Sequence, residues 1–545
     1  GALSQLQEAV ELIKARTGQR IDMSRIDFED AKVYDMLCKG DTIGIFQVES
    51  AAQMQTIIRL RPRNLLDMAH EVGAVRPGVG VNHGVQEYLA RRMKRKPVTY
   101  DHPLEKRALE RTLGIILFQD QVNQLAIDVA GFAPSEADRL RRAFGRRHNE
   151  ELLKNYHEKF MEGALKRHPD AEAAEKVFKK FNGQYMFPES HAFAFGVTAY
   201  QASWLKYYYP LEFFVAIFNQ QPMGFYNLET LKEDAWRHGI TVLNPDINKS
   251  SDKCLIEPLP IPCHPECSEG SRTYLKKRDS SVVSLPQNDR KKGDRNFPQP
   301  YTLYPTPYSL TPNPYALRLG FLNVTGLGAA SAKAIAEGKA KHGLFKSIGD
   351  FLERTGVLEE IADNLAGSGA FDSLEPNRRK VKWEIGLRYR PINTQLPLPL
   401  PVSQDIVELK PQTDWEKMKE EYNLLSLYPG GHVMAKLRPG LDSRCITSLD
   451  IERLRNGAPV TAAGLVIRRQ RPHGKVVFVT LEDEFGHIPC MVFGKVYEEY
   501  EHTFRSAFLI IKGYLTRREG TCNVVINKAE AFTGLEKPPQ SKDWH

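Results

Sequence analysis

The sequence predicts a multidomain, mainly α-helical chain that ends in a small β-barrel. Three observations predict it. Apolar residues recur at helical spacing through about the first 250 residues, a Pro-, Ser- and charge-rich stretch then breaks the pattern, and from Ala458 the spacing switches to strand alternation. The chain has 545 residues, enough for about three to five domains. Hydrophobic residues at 41% and charged residues at 26% are ordinary for a globular protein. A formal net charge of +8 and a pI of about 8.9 lean towards a polyanionic partner. Seven scattered cysteines argue for a reducing, cytoplasmic setting without a disulfide framework. No apolar run approaches a membrane span and no signal peptide is present. The first residue is Gly, inside a helical pattern, so the chain reads as a piece of a longer protein.

Residues 1–256 read as one helical region. "LSQLQEAVELIKA" places Leu3, Leu6, Val10 and Ile13 at helical spacing, and Pro210 divides the aromatic stretch "VTAYQASWLKYYYPLEFFVAIFNQQ" into two helices. Residues 257–316 have a composition that cannot bury a core and are expected to be a disordered insertion. "CHPEC" within them (Cys263, His264, Cys267) has no second ligand pair nearby, so no metal site is read there. Helical patterning returns over 317–387, a linker is expected over 388–455, a barrel over 456–535 and a short tail over 536–545. In the barrel, three strands, a helix-like "VYEEYEHTFRSA" and two more strands follow the order of an oligonucleotide-binding (OB) fold.

"DRLRRAFGRRHNEELL" (138–153) carries five arginines between Arg139 and Arg147. Ser135 and Asp138 suggest a capping box that opens a helix after Pro134. Ala137, Leu140 and Phe144 then share an apolar face, and Arg139, Arg142 and Arg146 share another. Such a fork suits bidentate phosphate binding, and equally a solvent face paired with Glu150 and Glu151; the residues alone leave the two even. "VTGLGAASAKAIAE" (324–337) lacks the third glycine and the βαβ frame of a dinucleotide fingerprint. It reads as a helix-hairpin-helix whose turn, Gly326 and Gly328, offers backbone N–H groups to a DNA phosphate, with a structural hairpin as the alternative. "VLEEIADNLAGSGAFDSL" (357–374) has similar features. On the barrel, Arg468, Arg469, Arg471, Lys475, Arg517 and Arg518 near Phe478 and Phe493 suit a single strand of nucleic acid. "RRMKRK" (Arg91, Arg92, Lys94, Arg95 and Lys96) is a further basic run. Ser190 beside His191 lacks a nucleophile elbow and reads as a helix start with a positioning histidine, not as a hydrolase pair. No Asp-x-Asp occurs, and "EDE" (482–484) reads as a solvated turn.

Five motifs in order, "GDTIGIFQVES" (40–50), "VRPG" (75–78), "GIILFQDQV" (114–122), "GFAPSEADRLRRAFGRR" (131–147) and "FPESHAFAFGVTAYQASWLKYYYP" (187–210), resemble the fingers of bacterial family C DNA polymerases, the alpha subunits of DNA polymerase III. The resemblance runs on through the hairpin and the barrel and leaves out only the insertion. "NQQPMGFY" (219–226), Phe118 and "PESH" (188–191) are most similar to the error-prone branch. The resemblance implies DNA-directed DNA synthesis in damage-induced mutagenesis and translesion repair, on a primer-template with deoxynucleoside triphosphates. It implies that Arg141 and Arg142 contact the triphosphate, that Arg146 and Arg147 extend that surface, and that Gln119 and His191 lie near it. Mg²⁺ would be held by palm aspartates expected upstream, so this chain alone is expected to bind DNA and be catalytically inert. "VGVNHGV" after the "VRPG" motif departs from the family's pattern. "QLPLP" (395–399) has Pro399 where a sliding-clamp peptide ends in an aromatic, which makes any clamp link indirect, alongside other mutagenesis proteins as partners. The alternative reading is a non-catalytic DNA-binding or scaffold protein derived from a polymerase fragment.

Overall fold

The computed structural model describes residues 1–76, 80–81, 83–144, 150–181, 187–259, 313–389, 408–471, 476–518, 520–532 and 541–544. Residues 260–312 of the insertion with "CHPEC", the "QLPLP" segment, Arg146, Arg147, Lys475 and most of the tail fall outside these residues, whereas the insertion's expected ends, 257–259 and 313–316, are described and take part in paired strands.

The N-terminal region is helical, as the spacing predicts. Helices α1 (Ala2–Thr17), α2 (Ala31–Cys38), α3 (Ala51–Leu60) and α4 (Leu65–Ala74) come first, then a short β1–β2 pairing (Val75–Arg76 with Gly80–Val81) and α5 (His83–Arg92). Helix α1 buries Leu6, Ala9 and Ile13, but Leu3 is exposed because the buried stripe of this helix starts one turn later. After α6 (Lys106–Leu109), a compact tip forms from α7 (Gln119–Ala130), α8 (Pro134–Phe144), α9 (Glu150–Arg167) and α10 (Ala171–Lys179) around Leu125, Val129, Leu140 and Phe160. The long α11 (Glu189–Tyr208) and α12 (Pro210–Asn219) break at Pro210, as expected, and α13 (Leu228–Arg237) follows.

A three-stranded sheet, β3 (Val242–Leu243), β5 (Tyr315–Arg318) and β4 (Leu255–Pro258) in that order, joins this region to the next. β4 and β5 are antiparallel with Pro258 opposite Tyr315, and Leu259 N–H donates to the Pro314 carbonyl at 2.8 Å. The long insertion therefore leaves and re-enters at adjacent backbone positions. The hairpin unit comprises α14 (Ala329–His342), α15 (Ile348–Thr355), α16 (Glu359–Gly367) and α17 (Arg378–Arg388). Its Phe345, Phe351, Leu365 and Ile385 belong to the same hydrophobic cluster as Leu6, Tyr34, Phe213 and Phe214 of the N-terminal helices. One core thus runs through both regions.

The segment expected to be a linker is in large part folded. It contains α18 (Asp414–Leu425), α19 (Val433–Leu437) and α20 (Ser448–Arg453). A Thr413/Glu416 capping box starts α18, whose Met418 and Tyr422 pack with Val433 and Met434 against the outside of the barrel at Ala463, Leu465 and Ile467. The barrel has strands β6 (Pro459–Gln470), β7 (Val476–Glu482), β8 (His487–Phe493), β9 (Phe508–Arg518) and β10 (Thr521–Ala531), with α21 (Gly494–Glu499) and α22 (Glu501–Phe504) between β8 and β9. The sheet closes in the order β6-β7-β8-β10-β9-β6, with β8 and β10 parallel, and β11 (Lys542–Trp544) extends one edge. This is the OB arrangement the strand order predicts. At Gly513 a side chain would overlap the Val525 carbonyl of the neighbouring strand, which is why glycine stands there.

The acidic triplet at the β7–β8 turn is not solvated. Glu482, Asp483 and Glu484 are all buried. Glu482 accepts from Thr230 Oγ1 of α13 at 3.0 Å and pairs with His487 Nε2 at 3.0 Å. Asp483 accepts from Ser448 N–H at 2.7 Å and caps the turn through Gly486 N–H at 3.0 Å, and Glu484 pairs with Arg438. The triplet therefore seats the barrel against α13, α20 and the turn after α19. Beside it, the Lys232 ammonium lies 2.9 Å from Glu229 and 2.5 Å from Glu233, and Tyr422 O–H donates to Glu229 at 2.7 Å.

Candidate nucleotide and nucleic-acid interface

The start of α7, the last turn of α8 and the start of α11 meet at a solvent-facing junction. Helix α8 begins at Pro134 itself, whose missing N–H costs nothing at a first helical position, so Ser135 lies inside the helix and the expected Ser135 cap is not formed. Ala137 and Leu140 are completely buried and Ala143 nearly so, which turns Arg139, Arg141 and Arg142 outwards.

Asp138 takes the place the expected cap would have given it in another way. Its Oδ1 accepts from Arg141 Nη2 at 2.7 Å and Nε at 3.1 Å, and its Oδ2 lies 2.8 Å from Arg142 Nε. The Arg141 hydrogen bond, with further help from the charges of Arg141 and Arg142, holds the Asp138 carboxyl below its usual range. The third Arg141 nitrogen, Nη1, donates to Gln119 Oε1 at 2.7 Å. Gln119 N–H in turn donates to the Phe187 carbonyl at 3.0 Å, and Phe118 and Phe187 form an isolated parallel bridge. The Phe187 ring stacks on His191 (centroids 5.4 Å apart, planes 16° apart), and His191 meets Phe195 edge-on at 4.3 Å. Asp120 accepts from Glu189 N–H at 2.6 Å, capping α11, and Glu189 pairs with Arg111 at 2.6 Å. Gln119, Arg141, Arg142 and His191, four of the six predicted nucleotide residues, are thus joined by one chain of contacts. Asp138, Asp120, Phe187 and Arg111 belong to the same junction and were not among the expected residues. The spacing of Asp138 from Arg141 and Arg142, three and four positions, was the one signal available for any of them.

In the hairpin unit Gly326 adopts φ +80°, a turn that disfavours any side chain, and Gly328 caps α14. Both glycines, Ala329 and Ala330 are exposed, so the N-terminal amides of a 14-residue helix face solvent. The turn is braced from behind by Thr325 N–H on the Leu424 carbonyl at 2.8 Å and by Asn364 Nδ2 on the Thr325 carbonyl at 3.0 Å.

The other expected DNA-binding cations divide into inward and outward. Arg91 ties Glu87, Thr99 and the Leu113 carbonyl together, and Arg92 bridges Asp67 and the Leu60 carbonyl. Arg468 is buried and donates to the Phe225 carbonyl at 2.8 Å. Arg469 donates to the Phe504 and Ser506 carbonyls, and Arg517 to those of Leu454 and Ile451. Lys94, Arg95 and Arg518 are exposed. On the outer face of β7 and β8, Phe478 lies opposite Met491 and Val476 opposite Phe493, which is 46% exposed. Arg471 sits over the Tyr497 ring at 5.3 Å. A strip of apolar and aromatic side chains bordered by a guanidinium results.

Among the described residues one group has metal-ligand chemistry: Asp41, Asp234 and His238, all buried. It does not fit a divalent ion. The Lys206 ammonium lies 2.7 Å from Asp41 and 2.8 Å from Asp234, and His238 Nε2 is 2.9 Å from Asp41. Burial opposes the charge on Asp41, but His238 and Lys206 outweigh it and hold the carboxyl far below its usual range. A cation is already built in.

Family models match three parts of the chain: a bacterial DNA polymerase III alpha subunit finger domain over residues 2–168, a helix-hairpin-helix motif over 239–381 and an OB-fold nucleic acid binding domain over 460–531. The error-prone DNA polymerase of Cutibacterium acnes is 34% identical over 558 aligned residues, covering 100% of this chain and 47% of that protein. Error-prone DNA polymerase 1 of Rhizobium meliloti is 34% identical, covering 98% of this chain and 46% of that protein. The error-prone DNA polymerase of Methylococcus capsulatus is 32% identical, covering 97% and 48%. The chain spans about half the length of these relatives.

Proposed function

The chain is related along its whole length to bacterial error-prone DNA polymerases and carries, in order, a DNA polymerase III alpha subunit finger domain, a helix-hairpin-helix and an OB-fold; on that footing we propose that it supplies the nucleotide-gripping and DNA-holding parts of such a polymerase. The observation that carries this reading is the convergence of Arg141, Arg142, Gln119 and His191 on one solvent-facing junction. Two guanidiniums on adjacent residues offer forked donors to the oxygens of a triphosphate. Gln119 sets the orientation of Arg141, and His191, held flat against Phe187, lines the same opening. The exposed amides at Gly326 and Gly328 hold a duplex phosphate without reading sequence, and the outer face of β7 and β8 stacks unpaired template bases.

In the whole protein these parts serve translesion and repair synthesis in the cytoplasm: a primer 3′ oxygen attacks the α-phosphorus of the bound nucleotide and pyrophosphate leaves. Mg²⁺, which such transfer uses, is assigned to carboxylates outside this chain, because the one described group with metal-ligand chemistry, Asp41, Asp234 and His238, already holds the Lys206 ammonium. The 545-residue chain is expected to bind DNA without extending a primer. Other mutagenesis proteins, and through them the sliding clamp, are the partners this role calls for.

The test is substitution of Arg141 and Arg142 by alanine, singly and together, with two titrations of the purified chain. Nucleotide affinity should fall about tenfold or more for each arginine, as for a lost charge-assisted contact, while affinity for primer-template falls far less. Equal loss of both would reduce the pair to a general DNA-binding patch. Primer extension by the chain alone would overturn the assignment of the metal carboxylates.

A further inference from the structure

One carboxylate, Asp138, holds both arginines of the junction at once, and each of its oxygens serves a different guanidinium. Arg141 makes no other side-chain contact besides that with Gln119, and Arg142 none besides that with Asp138, among the described residues. Arg139, one turn before Arg142, is exposed and makes no hydrogen bond or ion pair with the described residues. From Asp138 onwards α8 therefore carries three guanidiniums against one carboxylate, and two of them share that carboxylate as a bridging anion. A bridging anion between two forks is the geometry that a phosphate group adopts between paired arginines.

We propose that Asp138 is a resident stand-in for the nucleotide's phosphate, a positioning residue that keeps Arg141 and Arg142 aimed at one point and yields them when the triphosphate arrives. The inference rests on the nucleotide reading of this junction. Its physical content is competition. A bound phosphate must take donors that Asp138 now occupies and must lie beside a carboxylate of the same sign, so Asp138 both prepares the grip and weakens it. Arg141 is 26% and Asp138 34% exposed, which keeps the exchange within reach of solvent and its energy small. Gln119 stays with Arg141 through the exchange because it is anchored separately, by its own N–H on the Phe187 carbonyl.

Inorganic tripolyphosphate, titrated into the purified 545-residue chain by calorimetry, tests this without requiring catalysis. Asp138→Asn keeps the shape and one acceptor but removes the competing charge, and should tighten tripolyphosphate binding by about threefold to tenfold, the scale of an exposed ion pair. Asp138→Glu keeps the charge and should bind close to the parent. Because Asp138 sits on the exposed side of α8, both variants should melt within a few degrees of the parent, which the same samples report. Asn binding no tighter than the parent, or Glu tightening as Asn does, would overturn the stand-in. The arginine variants separate the two levels. If Arg141→Ala and Arg142→Ala abolish tripolyphosphate binding while Asp138→Asn fails to improve it, only the stand-in falls. If the arginine variants bind as the parent does, the nucleotide reading and the stand-in fall together.

Discussion

At the scale of single residues, the groups that matter most for folding are charges taken out of water. Glu71 on α4 is completely buried and neither carboxylate oxygen has a hydrogen-bond partner among the described residues, and burial raises its pKa well above the ordinary 4.5. Between 4.5 and that raised value the folded chain binds one more proton than the unfolded chain. Stability conferred by the neutral carboxyl is present below pH 4.5 and is lost as pH rises through this window, by up to about 1.4 kcal/mol per pH unit. Glu71→Gln should remove that slope: its melting temperature should exceed the parent's by more at pH 8 than at pH 5. Lys206 presents the opposite case. It is buried between Asp41 and Asp234, whose charges outweigh its own desolvation and keep it protonated. Lys206→Met leaves two buried carboxylates without their cation and should cost about 3–5 kcal/mol in urea unfolding. The inward turns of Arg91, Arg92, Arg468, Arg469 and Arg517 belong to this scale too. Basic runs advertise charge, but the carbonyls that capture these side chains lie 8 to 243 positions away, where no local pattern records them.

Elements were readable where a short period in the sequence meets one packed face. The alternation of β6 to β10 gave the barrel and its strand order because alternate residues of each strand meet in the interior around Val479, Cys490 and Val524, even where the outer faces of β6 and β10 are buried as well. Helix α8 was readable for the same reason, through Ala137, Leu140 and Phe144. The acidic turn after β7 was not, because its partners Thr230, Ser448 and Arg438 lie 252, 35 and 46 positions away. Neither was α18, which follows a Pro-rich stretch and earns its stability from packing on the barrel and a capping box. Thr413→Ala should cost that helix about 1 kcal/mol in urea unfolding. Gly513→Ala forces a methyl group against the Val525 carbonyl and should cost about 1–3 kcal/mol, seen as an earlier loss of the barrel in the same experiment.

At the scale of the whole molecule, the insertion and the continuous core act in opposite senses. Residues 260–312 span a gap between strands that are already paired, so closing it with a short turn removes length without moving either end. That deletion should leave the melting temperature within a few degrees of the parent and DNA affinity unchanged. The hydrophobic cluster behaves otherwise. Phe345, Phe351 and Ile385 of the hairpin unit share it with Leu6, Tyr34 and Phe213, so the unit is fixed to the N-terminal helices by packed side chains. The exposed glycine turn is then a fixed mark on the body built by α1, α2 and α12. A duplex held at Gly326 and Gly328 would be set at a constant offset from those helices, and lengthening or shortening the chain at the insertion would not change the reading.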